Sequence, residues 1–391
     1  MELTEEQKDM LEGKHGNAVK KSMSILVALG EIFGAKRLIP VTSVQISGVS
    51  YDNLGDAGLE FLDEMAKDGK ARVKTTLNPA GMDMENWEAL GIDSEFARKQ
   101  KLVIEAFVKM GMEATCTCTP YFIGNKPNFG DHIAWGESSA VTYANSVLGA
   151  KTNKEGGPSS IASSLTGFTA EYGLHLDENR QAHFVAEVKA KVDNPMLFGA
   201  LGNVIGRKAK GRIPLITGIE KATTEDLKAL SASIVTYGGA PMFHIEGITP
   251  NKTGVPKERI VVEQEDIDNS VKEMNDAGDV EFIFIGCPHC SIEELKKVSE
   301  LLDGKKVGKE LWIGVARPIK RIADQKGYSK IIEESGAKFA CDTCHVVAPL
   351  KGRFTSIATN SAKGIFYGRG KNNFKTIFRT LEECIKLAVG E

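Results

Sequence analysis

Seven cysteines carry the most evident chemistry in this 391-residue chain: Cys116, Cys118, Cys287, Cys290, Cys341, Cys344 and Cys384. Six form close pairs: Cys116-Thr-Cys118, Cys287-Pro-His-Cys290 and Cys341-Asp-Thr-Cys344. In a reducing compartment such pairs point to metal or redox chemistry rather than structural disulfides. Three chemistries compete. Zinc would take Cys287, Cys290, Cys341 and Cys344 as a four-thiolate site, but over a longer gap than small zinc modules use, and it leaves the first pair unexplained. Strand, Cys287-Pro-His-Cys290, helix is also the local pattern of a thioredoxin-like disulfide oxidoreductase, a reading that ignores the other pairs. An iron–sulfur cluster would take one cysteine from each pair. Three protein thiolates on a 4Fe–4S cluster leave one iron open, which suits a Lewis acid better than an electron carrier. Spacing alone does not choose within a pair. Cys384 reads as a small buried hydrophobe on the apolar face of a final helix, 374–388, with Phe374, Ile377 and Leu381.

The elements that must position these cysteines alternate between helix and strand. Thr4 and Gln7 make a capping box, and residues 17–33 have a helical apolar stripe. A strand over 38–46 stops at Gly48-Val49-Ser50, and Asp56 is placed to cap the next helix. Val73, Thr75 and Leu77 alternate as a strand that stops at Asn78-Pro79, and residues 94–110 read as a helix. Strands at 280–285, 311–315 and 337–340 follow, the first and last of them leading into cysteine pairs; Ser291 and Glu294 cap a helix, and Ile365–Tyr367 reads as a short strand. Alternation with short connections predicts an α/β architecture of largely parallel sheets flanked by helices. Ligands bind such sheets beyond the C-terminal strand ends, where Gly48–Ser50, Asn78-Pro79 and Cys118 fall. Domain cuts are expected near 150 and 275, giving units 1–150, 151–275 and 276–391.

Net charge is −3, with a sequence pI of about 6.2, which offers no whole-chain attraction for nucleic acid or anionic membrane. No run is apolar and long enough to span a bilayer, and the acidic start lacks the regions of a signal peptide, so the expectation is a cytoplasmic protein.

The motifs Cys118-Thr-Pro-Tyr121, His132-Ile-Ala-Trp-Gly-Glu-Ser-Ser-Ala-Val141, Tyr143-Ala-Asn-Ser-Val-Leu-Gly-Ala150 and Thr152-Asn-Lys-Glu-Gly-Gly-Pro-Ser159 resemble those of the aconitase X family. So do Gly286-Cys-Pro-His-Cys-Ser291, Asp342-Thr-Cys344 and Asn360-Ser-Ala-Lys-Gly364, and the resemblance runs from about residue 3 to the C-terminus. It implies an aconitase-like three-domain fold, with the small swivelling domain on a separate subunit that supplies a catalytic serine. It implies a 4Fe–4S cluster with one open iron site held by Cys118, Cys287 and Cys344. It also implies substrate contacts from Gly48, Val49, Ser50, Asn78, Pro79, Glu137, Ser138 and Lys363, the last three lying near the cluster as catalytic candidates. The reaction implied is dehydration of a phosphorylated 3-hydroxy acid, (R)-5-phosphomevalonate, in a modified mevalonate pathway, with cis-3-hydroxy-L-proline as the alternative substrate.

That chemistry asks for groups the residues themselves can offer. Gly48-Val49-Ser50 can present backbone N–H groups to an anion, although an ordinary turn is the simpler reading of it alone. Asn-Pro is usually just a turn, Ser138 can be only an N-cap, and a lone Lys such as Lys363 is more often surface. Arg317, after a strand, is a second possible anion clamp. His345 could tune the cluster through Cys344, and His132 and His289 have no assigned catalytic role.

Overall fold

The computed structural model describes residues Met1–Glu391. Three parallel sheets follow one another along the chain. The first has the strand order Lys74–Leu77, Ser43–Ile46, Ala134–Trp135. The second has the order His244–Ile245, Pro214–Thr217, Phe184–Val188, Arg259–Val262. The third has the order Lys338–Cys341, Glu310–Val315, Phe282–Cys290, Ser356–Thr359, Lys375–Phe378. Its central strand is the first in the chain, and winding proceeds outward to either side. The end of Phe282–Cys290 is therefore a topological switch point, where open α/β sheets bind ligands. Phe282, Ile283, Phe284 and Ile285 are all fully buried, as a parallel strand covered on both faces requires.

Residues after 150 return to the first sheet. The helix Gly157–Thr166 packs against the helix Asn17–Ile32, and Phe168–Ala170 pairs antiparallel with Leu38–Pro40. A boundary at 150 would strip Leu38–Pro40 of its partner, so the first cut moves toward residue 180. The second, near 275, falls between the helix Gln264–Glu273 and the strand Phe282–Cys290.

Three local expectations need correction. The helix after Gly48-Val49-Ser50 begins at Tyr51 rather than at Asp56, but Gly55, at φ 58°, breaks its helical geometry just before the predicted cap. Residues 374–388 are a strand, Lys375–Phe378, followed by a helix, Leu381–Val389. Cys384 thus shares its helix with Leu381, while Ile377 lies on the strand. Ile365–Tyr367 belongs to a helix, Ala362–Gly370, capped by Ser361 through the Gly364 N–H.

The first and third units are joined by a continuous apolar core in which Met82, Leu90 and Ile92 meet Phe284, Trp312 and Leu350. A polar seam runs beside it. Arg317 bonds Asp83 and Glu85, each at 2.7 Å, and also Asp342. The Ala80 N–H donates to the Asp342 carbonyl at 2.8 Å. Arg317 is thereby fully engaged across the seam, which removes it as a free anion clamp.

Candidate active site

Cys118, Cys287 and Cys344 line one pocket with Asn78, Pro79, Glu137, Gly286, Val346, Val347 and Lys363. Cys118 ends a short segment beside the first sheet, Cys287 lies near the end of the central strand of the third, and Cys344 follows the strand Lys338–Cys341. Gly286 makes the approach of these strands possible: it sits at φ +107°, and a Cβ there would lie 2.2 Å from the Gly314 carbonyl oxygen. The other cysteine of each pair faces away. Cys116 packs in the apolar core of the first unit, and Cys290 and Cys341 pack in that of the third, with Cys384.

One pocket thiol has a hydrogen-bond donor on its sulfur. The His289 N–H donates to Cys118 Sγ at 3.2 Å. The N–H groups of Val347 and Ala348 donate to the Cys344 carbonyl at 3.1 and 2.9 Å and fix the turn that carries its thiol. Burial nonetheless pushes the Cys118 and Cys344 thiols up, and Cys287 up to about 12. These groups become thiolates only against a strong positive charge, which a bound metal centre supplies. The four-thiolate zinc reading is divided by the fold: Cys290 and Cys341 lie in the apolar core of the third unit, while Cys287 and Cys344 line the pocket. With Cys290 turned into the core, the disulfide-exchange reading loses its partner thiol. Three thiols from three different segments lining one pocket suit a multinuclear cluster.

Beyond the thiols lies an open cleft of about 610 Å³, sharing Asn78, Glu137, Val346, Val347 and Lys363 with the inner pocket. Its outer walls include Ser47, Asn53, Ser138, Phe366, Tyr367 and Lys371. Lys363 is buried, pairs with Glu137, and donates to Ser139 Oγ at 2.7 Å. Burial works against its charge, but Glu137 and the Cys287 thiol outweigh that, so its pKa is raised and it stays an ammonium. Glu137 has a second role, accepting the Ala140 N–H at 2.6 Å as the N-cap of the helix Ser138–Tyr143. The cap is therefore Glu137 and not Ser138, which lines the cleft as the first helical residue.

Asn78 Oδ1 is buried without a partner at the boundary between pocket and cleft. The Val49 side chain belongs to the first unit's core, and the Ser50 hydroxyl donates to the Val347 carbonyl at 3.1 Å. The N–H groups of Gly48, Val49 and Ser50 enter no backbone–backbone hydrogen bond, and Gly48 is left-handed at φ +74°. This is a backbone concavity with donors to spare, beside Ser47 and Asn53 of the cleft wall.

Several contributors escaped the sequence reading. Phe366, Tyr367 and Gly370 line the cleft at i+3, i+4 and i+7 from the expected Lys363 on the helix Ala362–Gly370. Ser361, Ser139 and Lys371 were missed as well. The cap signal Ser361…Gly364 was the available clue. His345 bonds the Gly364 carbonyl at 3.2 Å and packs on Phe284, so it supports the Lys363 helix instead of a thiol. His132 faces His175 at 3.0 Å in the first unit, and neither lines the thiol pocket or the cleft.

Parallel-sheet units meeting at a thiol-lined pocket, with a buried ammonium–carboxylate pair at its mouth, define an α/β enzyme of the dehydratase class with thiols in its site. The chain belongs to the aconitase X family. The family's first domain matches residues 1–178, its second 182–272 and its third 280–390. The chain is 45% identical to the phosphomevalonate dehydratase large subunit of Methanocaldococcus jannaschii, covering 99% of this chain and 100% of that protein. The crystal structure of Thermococcus kodakaraensis aconitase X in its holo-form superposes with a TM-score of 0.93 at 45% identity, over 99% of this chain and 100% of that one. A cis-3-hydroxy-L-proline dehydratase of Hypocrea jecorina is 35% identical over 99% of this chain but 68% of its own length. No helix is long and apolar enough to cross a membrane.

Proposed function

We propose that this chain is the large subunit of a hydro-lyase that dehydrates (R)-5-phosphomevalonate to trans-anhydromevalonate 5-phosphate. The observation that carries the reaction class is the collection of Cys118, Cys287 and Cys344 in one pocket beside the Lys363–Glu137 pair. The end-to-end match to a relative named as such a large subunit favours this substrate over cis-3-hydroxy-L-proline.

In this reading the three thiolates hold a 4Fe–4S cluster, which when bound supplies a Lewis-acid iron for the substrate's hydroxyl and carboxylate oxygens. Lys363 places a fixed positive charge beside the substrate carboxylate, and Glu137 keeps it oriented. Asn78, with an unused amide oxygen, orients a substrate hydroxyl by accepting its proton in a hydrogen bond. The N–H groups of Gly48, Val49 and Ser50, with Asn53 and Lys371, receive the phosphate at the outer end of the cleft. The base that removes the proton next to the carboxylate is a serine of a separate small subunit, which closes over the open cleft.

The test is an anaerobic NMR assay of the cluster-reconstituted chain mixed with its candidate small subunit. Both (R)-5-phosphomevalonate and cis-3-hydroxy-L-proline are offered. A new vinylic signal from phosphomevalonate alone is the expected result. Turnover of hydroxyproline instead would overturn the substrate, and silence with both in a cluster-loaded sample would overturn the reading as a whole.

A further inference from the structure

His289 lies in the middle of the Cys287–Cys290 pair and is fully buried, yet it lines neither the thiol pocket nor the cleft. Its Nε2 is 2.9 Å from the carbonyl oxygen of Thr343, the residue before Cys344. A carbonyl only accepts, so Nε2 carries the hydrogen. Its Nδ1 is 2.9 Å from the hydroxyl of Thr117, the residue before Cys118. In a neutral ring Nδ1 then accepts, and the Thr117 hydroxyl donates. The Thr119 N–H donates to that same Thr117 oxygen at 3.2 Å, which completes a chain of bonds with one direction. The backbone N–H of His289 donates to Cys118 Sγ at 3.2 Å. Buried Lys228, from the second unit, donates to the His289 carbonyl at 3.1 Å.

One side chain thus bonds the segments leading to two of the pocket thiols from its place two residues after the third. Thr117 and His289 are 172 residues apart in sequence. We propose that His289 is a positioning residue: through its bonds to Thr117 and Thr343 and its N–H to Cys118, it holds the segments of Cys118, Cys287 and Cys344 in mutual register. This rests on the thiol pocket being a cluster site. Residues that orient metal ligands from behind are commonly worth a factor of about 10 to 100 in metal affinity.

The experiment uses the full chain, reconstituted without oxygen, with His289→Ala, His289→Gln and Thr117→Val. Three quantities are read: iron and sulfide per chain, the rate of cluster loss to a chelator, and the electron paramagnetic resonance spectrum of the reduced chain. Far-UV circular dichroism of the cluster-free chains checks folding. His289→Ala is expected to fold and to lose its cluster about 10-fold faster or more. His289→Gln keeps a donor near the Thr343 carbonyl but no acceptor for Thr117. Thr117→Val keeps the shape and removes only the hydroxyl. Both are expected to show smaller losses of similar size and a shifted resonance spectrum, because the N–H contact to Cys118 changes; a purely structural residue would leave the spectrum of bound cluster unmoved. A His289→Ala chain with unchanged cluster lifetime and spectrum overturns the proposal. If that variant fails to fold, Thr117→Val decides alone, and an unchanged lifetime and spectrum overturn it. Failure of the unsubstituted chain to take up a cluster would instead overturn the functional reading, a result distinct from losses confined to the variants.

Discussion

Lys363 and Glu137 are each useful because the other is there. Both are buried, at 8% and 5% exposed, and a lone charge at such a depth is costly whereas a paired one is tolerated. Lys363→Met leaves the Glu137 carboxylate uncompensated and is expected to destabilise the chain by about 3 kcal/mol or more. Combining it with Glu137→Gln removes both charges and should recover much of the stability without restoring turnover. Denaturant titration and the NMR assay, run on the same samples, separate the two effects. The cysteines divide in the same manner. Cys118→Ala is expected to abolish cluster uptake, while Cys384→Ala, in the apolar core of the third unit, should leave iron content unchanged. Equal iron content in both variants would remove Cys118 from the ligand set.

At the scale of elements, Gly286 decides whether the strand bearing Cys287 can lie against its neighbour. Gly286→Ala combines a left-handed φ with a contact to the Gly314 carbonyl at 2.2 Å, so a loss of about 3 kcal/mol or more is expected. A normal unfolding midpoint for this variant would show that the strand can relax. Much of the element order was legible in the sequence. The runs ending at Gly48, Asn78 and Gly286 are rich in β-branched or aromatic residues and end in strong turn residues, and the capping boxes at Thr4 and Ser291 are both formed. The helix Ala362–Gly370 was not legible. Its glycines at 364, 368 and 370 lower helix propensity, and Ile365-Phe366-Tyr367 has the composition of a strand. Tertiary contacts override both, since Gly364 lies against His345, where a Cβ would meet the ring at 3.1 Å. Strand ends and cysteine pairs located the candidate site in the sequence, but the choice within each pair came only through the resemblance. Cys116 and Cys118 are equivalent to any spacing argument, and only folding turns one toward the pocket and the other into the core. The choice of Gly48-Val49-Ser50 was reasonable for its backbone, but its side chains are spent on packing and on Val347.

The whole molecule is sensitive to acid through its buried histidines. Burial lowers His175 to about 3 and also lowers His132 and His244. Lys151 and Arg180 further oppose a proton on the His132–His175 pair, and Glu171 favours one. In the unfolded chain each histidine gains a proton as the pH falls through about 6.5, whereas folded His175 does so only near 3. The unfolded state therefore binds more protons in this window. Stability is complete above pH 6.5 and falls on acidification, by about 1.4 kcal/mol per pH unit from His175 alone. A urea midpoint that moves steadily lower between pH 7 and pH 5 checks this, and a flat profile contradicts it. The cleft is open on the side where the proposed serine would enter, so the isolated large subunit is expected to turn over at well under 1% of the rate of the mixture, on the order of 10²-fold or more below it, as loss of a general base requires. Comparable rates with and without the small subunit would refute that division of labour. Finally, Cys118 belongs to the first unit, while Cys287 and Cys344 belong to the third. A cluster spanning them would cross-link the two halves of the seam, and its binding energy would add to folding energy by mass action. Iron supply, oxygen exposure and chelators would then set the thermal lifetime of the polypeptide as well as its turnover, so an iron-starved cell would hold less of this protein and not merely a less active form of it.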